Sequence, residues 1–378
     1  MTKLGTMKHG HGHSHQQCGC GKQRLSTAVP HSIPRRSGFA FIQVVSRFAI
    51  DVLVKCWALC STGLLAVLLF YWLYGGWVAS IVVWISIFGI FYNYQDYLLY
   101  YPEVPKSSRL LVQSPQGWNV PFESLFIKAR DGTRLHALFL KQPEGLAANA
   151  PTVLFLHGNA GNIGHRLVNA VAVYAAVSVN VLLLEYRGYG KSDGSPTETG
   201  LYLDAEAAVD FLYSRADINQ RKIVVFGRSL GGAVGVHLAT HSVFRDRIFA
   251  VILENTFTSI PHMATIIFSV KRILKWVPVW MYKNQFVSIK KIGQCSRPTL
   301  FVSGLADQLI PPYMMQLMFQ ESGSVYKRMC TFPTGTHNET WQCDGYCDVI
   351  RRFLQEVSQA HGLEDTGEIH HDHTILDI

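Results

Sequence analysis

Charge is what this chain has least of. Of its 378 residues, 16% are Asp, Glu, Lys or Arg, against 48% hydrophobic residues, where an ordinary globular chain carries about a quarter charged. That shortage excludes a largely disordered protein and points to a membrane segment. Cysteine is scarce too: eight residues, scattered from Cys18 to Cys347, are too few and too dispersed for a disulfide-stapled scaffold. Gly 31 and Pro 15 are ordinary numbers, which excludes collagen-like and low-complexity architectures. No fixed-period repeat is present, and neither G-x-G-x-x-G nor a Walker pattern occurs.

The formal net charge of +8 suggests nucleic acid until its position is considered. Residues 1–55 contain eight Lys/Arg against the single acid Asp51, so this segment carries +7 of the total. A basic tail ahead of an apolar block is a topology signal, not a groove for nucleic acid. The segment is polar and aperiodic, and is expected to be disordered. Within it His9, His11, His13 and His15, followed by Cys18 and Cys20, could chelate a metal. No regular element would fix their geometry, and the spacing fits no structural zinc site. His370, His371 and His373 at the other end are read in the same way.

From Cys56 to Tyr94 no residue is charged. Trp57 to Tyr92 as one straight helix would be about 54 Å long, well over a hydrocarbon core of about 30 Å. Gly75-Gly76 divides the run into Trp57–Tyr74 and Trp77–Tyr92, each slightly short of a span, and aromatic residues sit where interfacial belts belong. Two topologies follow. In the favoured one, a single span with the basic tail in the cytosol places the rest of the chain in a lumen or outside the cell (type II). In the other, a hairpin turning at Gly75-Gly76 returns it to the cytosol.

Beyond a linker assigned to residues 95–120, strands alternate with helices. Glu123–Ala129 and Leu135–Lys141 form a hairpin around Arg130-Asp131-Gly132-Thr133. Apolar strands follow at Thr152–Leu156, Val181–Leu184, Ile223–Phe226, Ala250–Leu253, Thr299–Val302 and Arg328–Phe332. Helical patterns at Glu198–Tyr213, Leu230–Thr240, Pro312–Gln320 and Trp341–Val357 separate them. Continuous apolar strands between helices predict an α/β fold, a mostly parallel sheet covered on both faces. The domain is placed at 121–358, with a helical cap at about 256–292 and a disordered tail at 359–378.

Gly227-Arg228-Ser229-Leu230-Gly231 has G-x-S-x-G spacing between a strand and a helix, the setting in which a serine on a sharp turn becomes an exposed nucleophile. A serine needs a base, and the base an acid to orient it. Chain order then points to Asp307 after the strand ending near Ser303, and to His337 after the strand ending at Phe332. Asp344 and Glu254 are fallback acids, and Glu185 is read as a structural ion-pair residue. The loop His157-Gly158-Asn159-Ala160-Gly161-Asn162 follows the first parallel strand. Its Asn159 or Ala160 backbone N–H, together with that of Leu230, would form an oxyanion hole, with Gly158 and Gly161 allowing close approach.

These residues resemble the α/β-hydrolase superfamily. The strings G-R-S-L-G-G, Y-R-G-Y-G-K-S (Tyr186–Ser192), E-N-T-F (Glu254–Phe257), D-Q-L-I-P-P (Asp307–Pro312) and H-N-E-T-W-Q-C (His337–Cys343) are similar to those of its membrane-anchored members. The resemblance covers about residues 55–358. It implies a serine hydrolase with the triad Ser229, Asp307 and His337 and a type II signal-anchor, acting on acyl esters or thioesters of lipids or proteins, since relatives include protein depalmitoylases. It implies no metal and no organic cofactor. The alternatives are a catalytically silent membrane scaffold or lipid-binding module, and an acyltransferase using the same triad.

Two further features bear on membranes. The cap is apolar and aromatic yet carries Lys271, Arg272, Lys275, Lys283, Lys290 and Lys291, which suggests a surface that meets anionic headgroups. Asn338-Glu339-Thr340 is an N-glycosylation sequon, usable only if the domain is luminal.

Overall fold

Gly75 adopts φ +79°, a left-handed conformation that only glycine holds without a Cβ penalty, and it separates two apolar helices, α1 (Ser61–Tyr74) and α2 (Gly76–Leu99). The computed structural model describes residues 61–267 and 277–366, with Val54 and Trp57. The remaining N-terminal tail with its His/Cys motif, residues 268–276 of the cap and residues 367–378 lie outside the described residues. The chain divides between Gln95 and Asp96 into two units.

In the first unit and its continuation, α2 has 24 residues, about 36 Å at 1.5 Å per residue, enough to cross a membrane alone. It is the one described helix that is both long and apolar enough to do so. Its tryptophans are uncovered, Trp77 being 88% and Trp84 72% exposed. The expected stop at Tyr94 is overrun. Nothing in the Asn93–Leu99 stretch breaks a helix, and the Tyr100 N–H still bonds the Asp96 carbonyl at 2.8 Å.

In the second unit an eight-stranded sheet has the order β1-β2-β4-β3-β5-β6-β7-β8. β1 (Phe122–Lys128) and β2 (Arg134–Leu140) form the hairpin, with Phe122 opposite Leu140, and β2 runs antiparallel to β4 (Asn180–Leu184). From β4 onward every pairing is parallel, through β3 (Thr152–Leu156), β5 (Ile223–Arg228), β6 (Ala250–Glu254), β7 (Thr299–Gly304) and β8 (Lys327–Phe332). β3 to β7 are buried along their whole length, as parallel strands covered on both faces must be.

One face packs on α4 (Glu198–Ser214), α5 (Leu230–Thr240) and α8 (Pro312–Glu321), whose Leu201, Val234 and Met314 meet Leu154, Leu156 and Val225. The other packs on α3 (Leu167–Val177) and α9 (Tyr346–Thr366), whose Val173 and Phe353 meet Phe155, Phe226 and Ile252. The cap region follows β6 and contains α6 (Ile260–Ile267) and the single turn α7 (Ser288–Lys291).

Two boundaries differ from the sequence-based expectation. Residues 96–120 are not a free linker. Asn162 Nδ2 donates to the Ser108 and Leu111 carbonyls, both at 2.8 Å, and Ser108 is fully buried. The C-terminal helix continues past Ala360 to Thr366, so the tail starts later than residue 359.

Candidate active site

β3 and β5 are neighbours in the sheet, but the connection leaving β3 runs through α3 on one face and that leaving β5 through α5 on the other, and a crevice opens beyond the strands' carboxyl ends at such a switch. Leu156 pairs with Gly227 across the two strands, which puts the His157–Asn162 loop beside the turn carrying Ser229. β7 and β8 deliver Asp307 and His337 to the same end of the sheet.

The Ser229 turn is tight. Ser229 has φ 54° and ψ −118°, a region that costs a non-glycine residue on the order of 1–3 kcal/mol and persists only when over-determined. Here its N–H donates to the Glu254 carbonyl at 2.9 Å, and its own carbonyl accepts from Thr256 Oγ1 at 2.7 Å. The flanking glycines are required by space. A Cβ on Gly227 would lie 2.3 Å from the Gly231 carbonyl oxygen, and one on Gly231 would lie 2.0 Å from that of Leu156.

Ser229 Oγ lies 3.1 Å from His337 Nε2, and His337 Nδ1 lies 2.7 Å from Asp307 Oδ2. The other oxygen, Oδ1, accepts from the Leu309 and Ile310 N–H groups at 2.8 and 2.9 Å. With the carboxylate so occupied, His337 donates through Nδ1 and presents the Nε2 lone pair to the serine hydroxyl. The His337 side chain is 13% exposed, that of Asp307 1%, which leaves the imidazole reachable and its partner dry.

The His337 loop is held from below. Asn255, at φ 45°, donates Nδ2 to the Thr336 and His337 carbonyls, each at 3.2 Å, and accepts the Gly304 N–H at 2.8 Å. Arg228 donates to the His337 carbonyl at 3.1 Å, and its Nε lies 3.5 Å from Glu254. Glu254 in turn accepts the Tyr346 hydroxyl at 2.7 Å, and burial beside this carboxylate pushes Tyr346 well above its ordinary pKa. Glu254 is therefore occupied away from His337, and Asp344 is exposed; of the three acids considered, Asp307 is the one on the imidazole. Asn255 and Arg228 were invisible to sequence reasoning. The asparagine directly after a buried strand, in E-N-T-F, was the available signal, because Asn tolerates positive φ.

In the loop after β3, the carbonyls of Gly158, Asn159 and Ala160 have partners. Gly158 faces His157 Nδ1 at 2.7 Å. Asn159 accepts from the Tyr101 N–H at 2.8 Å and the Tyr189 hydroxyl at 2.9 Å, and Ala160 from Arg166 at 3.0 Å. Among the described residues, the N–H groups of Asn159 and Ala160 donate to no backbone carbonyl, and Leu230 is the first residue of α5, whose N–H has no partner within the helix. Gly161 is required, with φ +80° and a Cβ that would meet His165 Nδ1 at 2.6 Å. A Cβ on Gly158 would meet Ser229 Cβ at an ordinary 3.5 Å, so packing does not demand glycine there. His157 and Glu185, both fully buried, approach to 3.4 Å, and Glu185 also accepts the Ile163 N–H at 3.2 Å.

A family model described as the alpha/beta hydrolase fold matches residues 151–286. Protein bem46 of Schizosaccharomyces pombe is 40% identical over 74% of this chain and 92% of its own length. The alpha/beta hydrolase domain-containing protein WAV2 of Arabidopsis thaliana is 38% identical over 72% and 92%. The chain belongs to the α/β-hydrolase family. Another relative, the membrane protein YNL320W of Saccharomyces cerevisiae, is 37% identical over 75% of this chain and 95% of its own. Among solved structures, an esterase of Pyrococcus furiosus superposes with a TM-score of 0.53 at 17% identity, covering 64% of this chain and 95% of the other; at that identity the likeness concerns the fold.

Away from this site, Glu206, His237 and His241 bring metal-ligand atoms within 4.8 Å of one another. Their atoms have other partners: His237 Nε2 meets Glu206 at 3.0 Å with its ring stacked on Tyr202, and His241 Nδ1 takes the Val243 N–H at 3.2 Å. Arg130 lies 3.6 Å from the same carboxylate. A cation would have to displace these bonds against a neighbouring positive charge. Of the basic cap residues, Lys283 is paired with Asp96 and Lys291 lies over the Tyr202 ring, while Lys271, Arg272 and Lys275 fall outside the described residues. The Asn338 side chain is exposed.

Proposed function

We propose that this protein is a membrane-anchored serine hydrolase that cleaves acyl esters or thioesters of lipids or proteins through Ser229, His337 and Asp307. The observation that carries the reading is the continuous chain of contacts from Asp307 through His337 to the Ser229 hydroxyl, on a turn held at positive φ.

In this mechanism His337 Nε2 removes the Ser229 proton as Oγ attacks the acyl carbonyl, and Asp307 stabilises the imidazolium that forms. The developing oxyanion is held by the Leu230 N–H with that of Asn159 or Ala160. The imidazolium returns its proton to the departing alcohol or thiol, leaving Ser229 acylated. Water, deprotonated by the same nitrogen, then releases the carboxylic acid. Anchoring is supported by α2 and by the relative described as a membrane protein. The basic tail supports the type II orientation.

The test is fluorophosphonate labelling of membranes bearing wild type, Ser229→Ala and His337→Ala chains. Labelling should vanish in Ser229→Ala and fall by about 100-fold or more in His337→Ala, as for loss of a general base. A folded wild-type chain that neither labels nor hydrolyses a p-nitrophenyl ester would overturn the reading in favour of a silent scaffold.

A further inference from the structure

The chain leaving α2 is bonded into the loop after β3. Tyr101 forms an isolated parallel bridge with Ala160: its N–H donates to the Asn159 carbonyl at 2.8 Å, and its carbonyl accepts the Gly161 N–H at 3.3 Å. Asn159 Nδ2 returns a bond to the Leu99 carbonyl at 3.0 Å. The same short segment is pinned on its other side. The Tyr100 hydroxyl donates to Asn284 Oδ1 at 3.0 Å, in buried surroundings, and Asn284 Nδ2 donates to Asp96 at 2.6 Å. Asp96 also pairs with Lys283.

A trans peptide is planar, with its C=O and N–H pointing in opposite directions. The Asn159 carbonyl and the Ala160 N–H belong to one such plane. Whatever fixes the carbonyl therefore aims the N–H. Here two donors fix it, the Tyr101 N–H at 2.8 Å and the Tyr189 hydroxyl at 2.9 Å, while the Ala160 N–H donates to no backbone carbonyl. We propose that Tyr101 and Tyr189 are positioning residues that aim the Ala160 N–H at the oxyanion, so that the segment emerging from the membrane-length helix sets the acylation rate. This rests on the serine-hydrolase reading. It adds to it a dependence of the chemistry on Tyr101, which precedes the β3–β8 core, and on the buried Tyr189 that shares its acceptor.

The experiment uses full-length protein in detergent with a p-nitrophenyl ester and active-site titration by a fluorophosphonate, so that kcat is expressed per reactive serine. Tyr189→Phe removes one donor and keeps the ring. Tyr101→Pro removes the other. Tyr174→Phe is the control, since its hydroxyl donates to the carbonyl of Lys141, just past the end of β2, 3.0 Å away. Removing an oxyanion donor outright costs about 100- to 1,000-fold in kcat. A misaimed one should cost about 10-fold per titrated site, with KM unchanged within about twofold. A merely structural role would lower the number of titratable sites and leave kcat per site as it was. Should Tyr101→Pro fail to fold, Tyr189→Phe decides alone. Unaltered kcat per site in the folded variants overturns the positioning proposal and leaves the hydrolase reading standing. A wild-type chain with no titratable serine overturns both.

Discussion

At the scale of single residues, the site is built from side chains and peptides held where they would not rest by themselves. Ser229 keeps a positive φ because Glu254 and Thr256 bond its backbone on both sides. Glycine tolerates that region without penalty but loses more entropy on folding. Ser229→Gly is therefore expected to be more stable than Ser229→Ala by roughly 1 kcal/mol, with both inactive under the proposed mechanism; thermal unfolding midpoints of the two variants check the first expectation. That Ser229, Asp307 and His337 meet could be expected from sequence, because the loops after β5, β7 and β8 open at one end of a parallel sheet. Their supports could not. Asn255 leaves a trace, an asparagine at the end of a buried strand, but Arg228, Tyr101 and Tyr189 act through backbone carbonyls far away in sequence, and no local pattern records such a bond.

At the scale of elements, the eight strands were legible to within two residues at their ends, because each is short and closed by turn residues and most are continuous apolar runs. α3 was not. Its buried hydrophobic residues, Leu167, Ala170, Val173, Tyr174 and Val177, follow helical spacing, but Val168, Val171 and Ala172 on the remaining surface are apolar too, so the contrast that reveals a helix is missing. The packing of α5 on the sheet depends on bare backbone: a Cβ at Gly231 would come within 2.0 Å of the Leu156 carbonyl oxygen, and one at Gly232 within 2.5 Å of Thr256. Overpacking of this kind costs about 1–3 kcal/mol and more where backbone is struck. Gly231→Ala should lower stability by at least ~3 kcal/mol and separate the two loops that flank the serine. Denaturant midpoints and loss of fluorophosphonate labelling would report the two effects separately.

At the scale of the whole molecule, acid stability and topology can be tested together on the intact chain. Burial, reinforced by Lys191, holds His136 down to about 4 from its ordinary 6.5. The folded protein thus resists taking a proton that the unfolded chain accepts freely. Stability attributable to this histidine is complete above pH 6.5 and is lost as pH falls towards 4, by up to ~3 kcal/mol at about 1.4 kcal/mol per pKa unit. His136→Gln should flatten that limb, measured as the unfolding midpoint against pH in detergent. Topology was the least legible feature of the sequence, because Gly75-Gly76 is as compatible with a hairpin as with a single span. In the type II arrangement Asn338 is luminal, and an endoglycosidase-sensitive mobility shift should disappear in Asn338→Gln. Absence of the shift in wild type would favour the hairpin.

The short distance along the chain between α2 and the Tyr101 bridge has one more consequence. Leu99 ends the helix and Tyr101 is already bonded to the Asn159 loop, so the leash is two residues, about 7 Å when fully extended. On the proposed function, with α2 in a bilayer, a hydrolase on so short a leash would search for substrate in a plane, and its turnover would follow the surface density of acyl groups in that membrane, not their bulk concentration. Diluting those groups with inert lipid at constant total amount should slow it, while a freely diffusing esterase would respond far less.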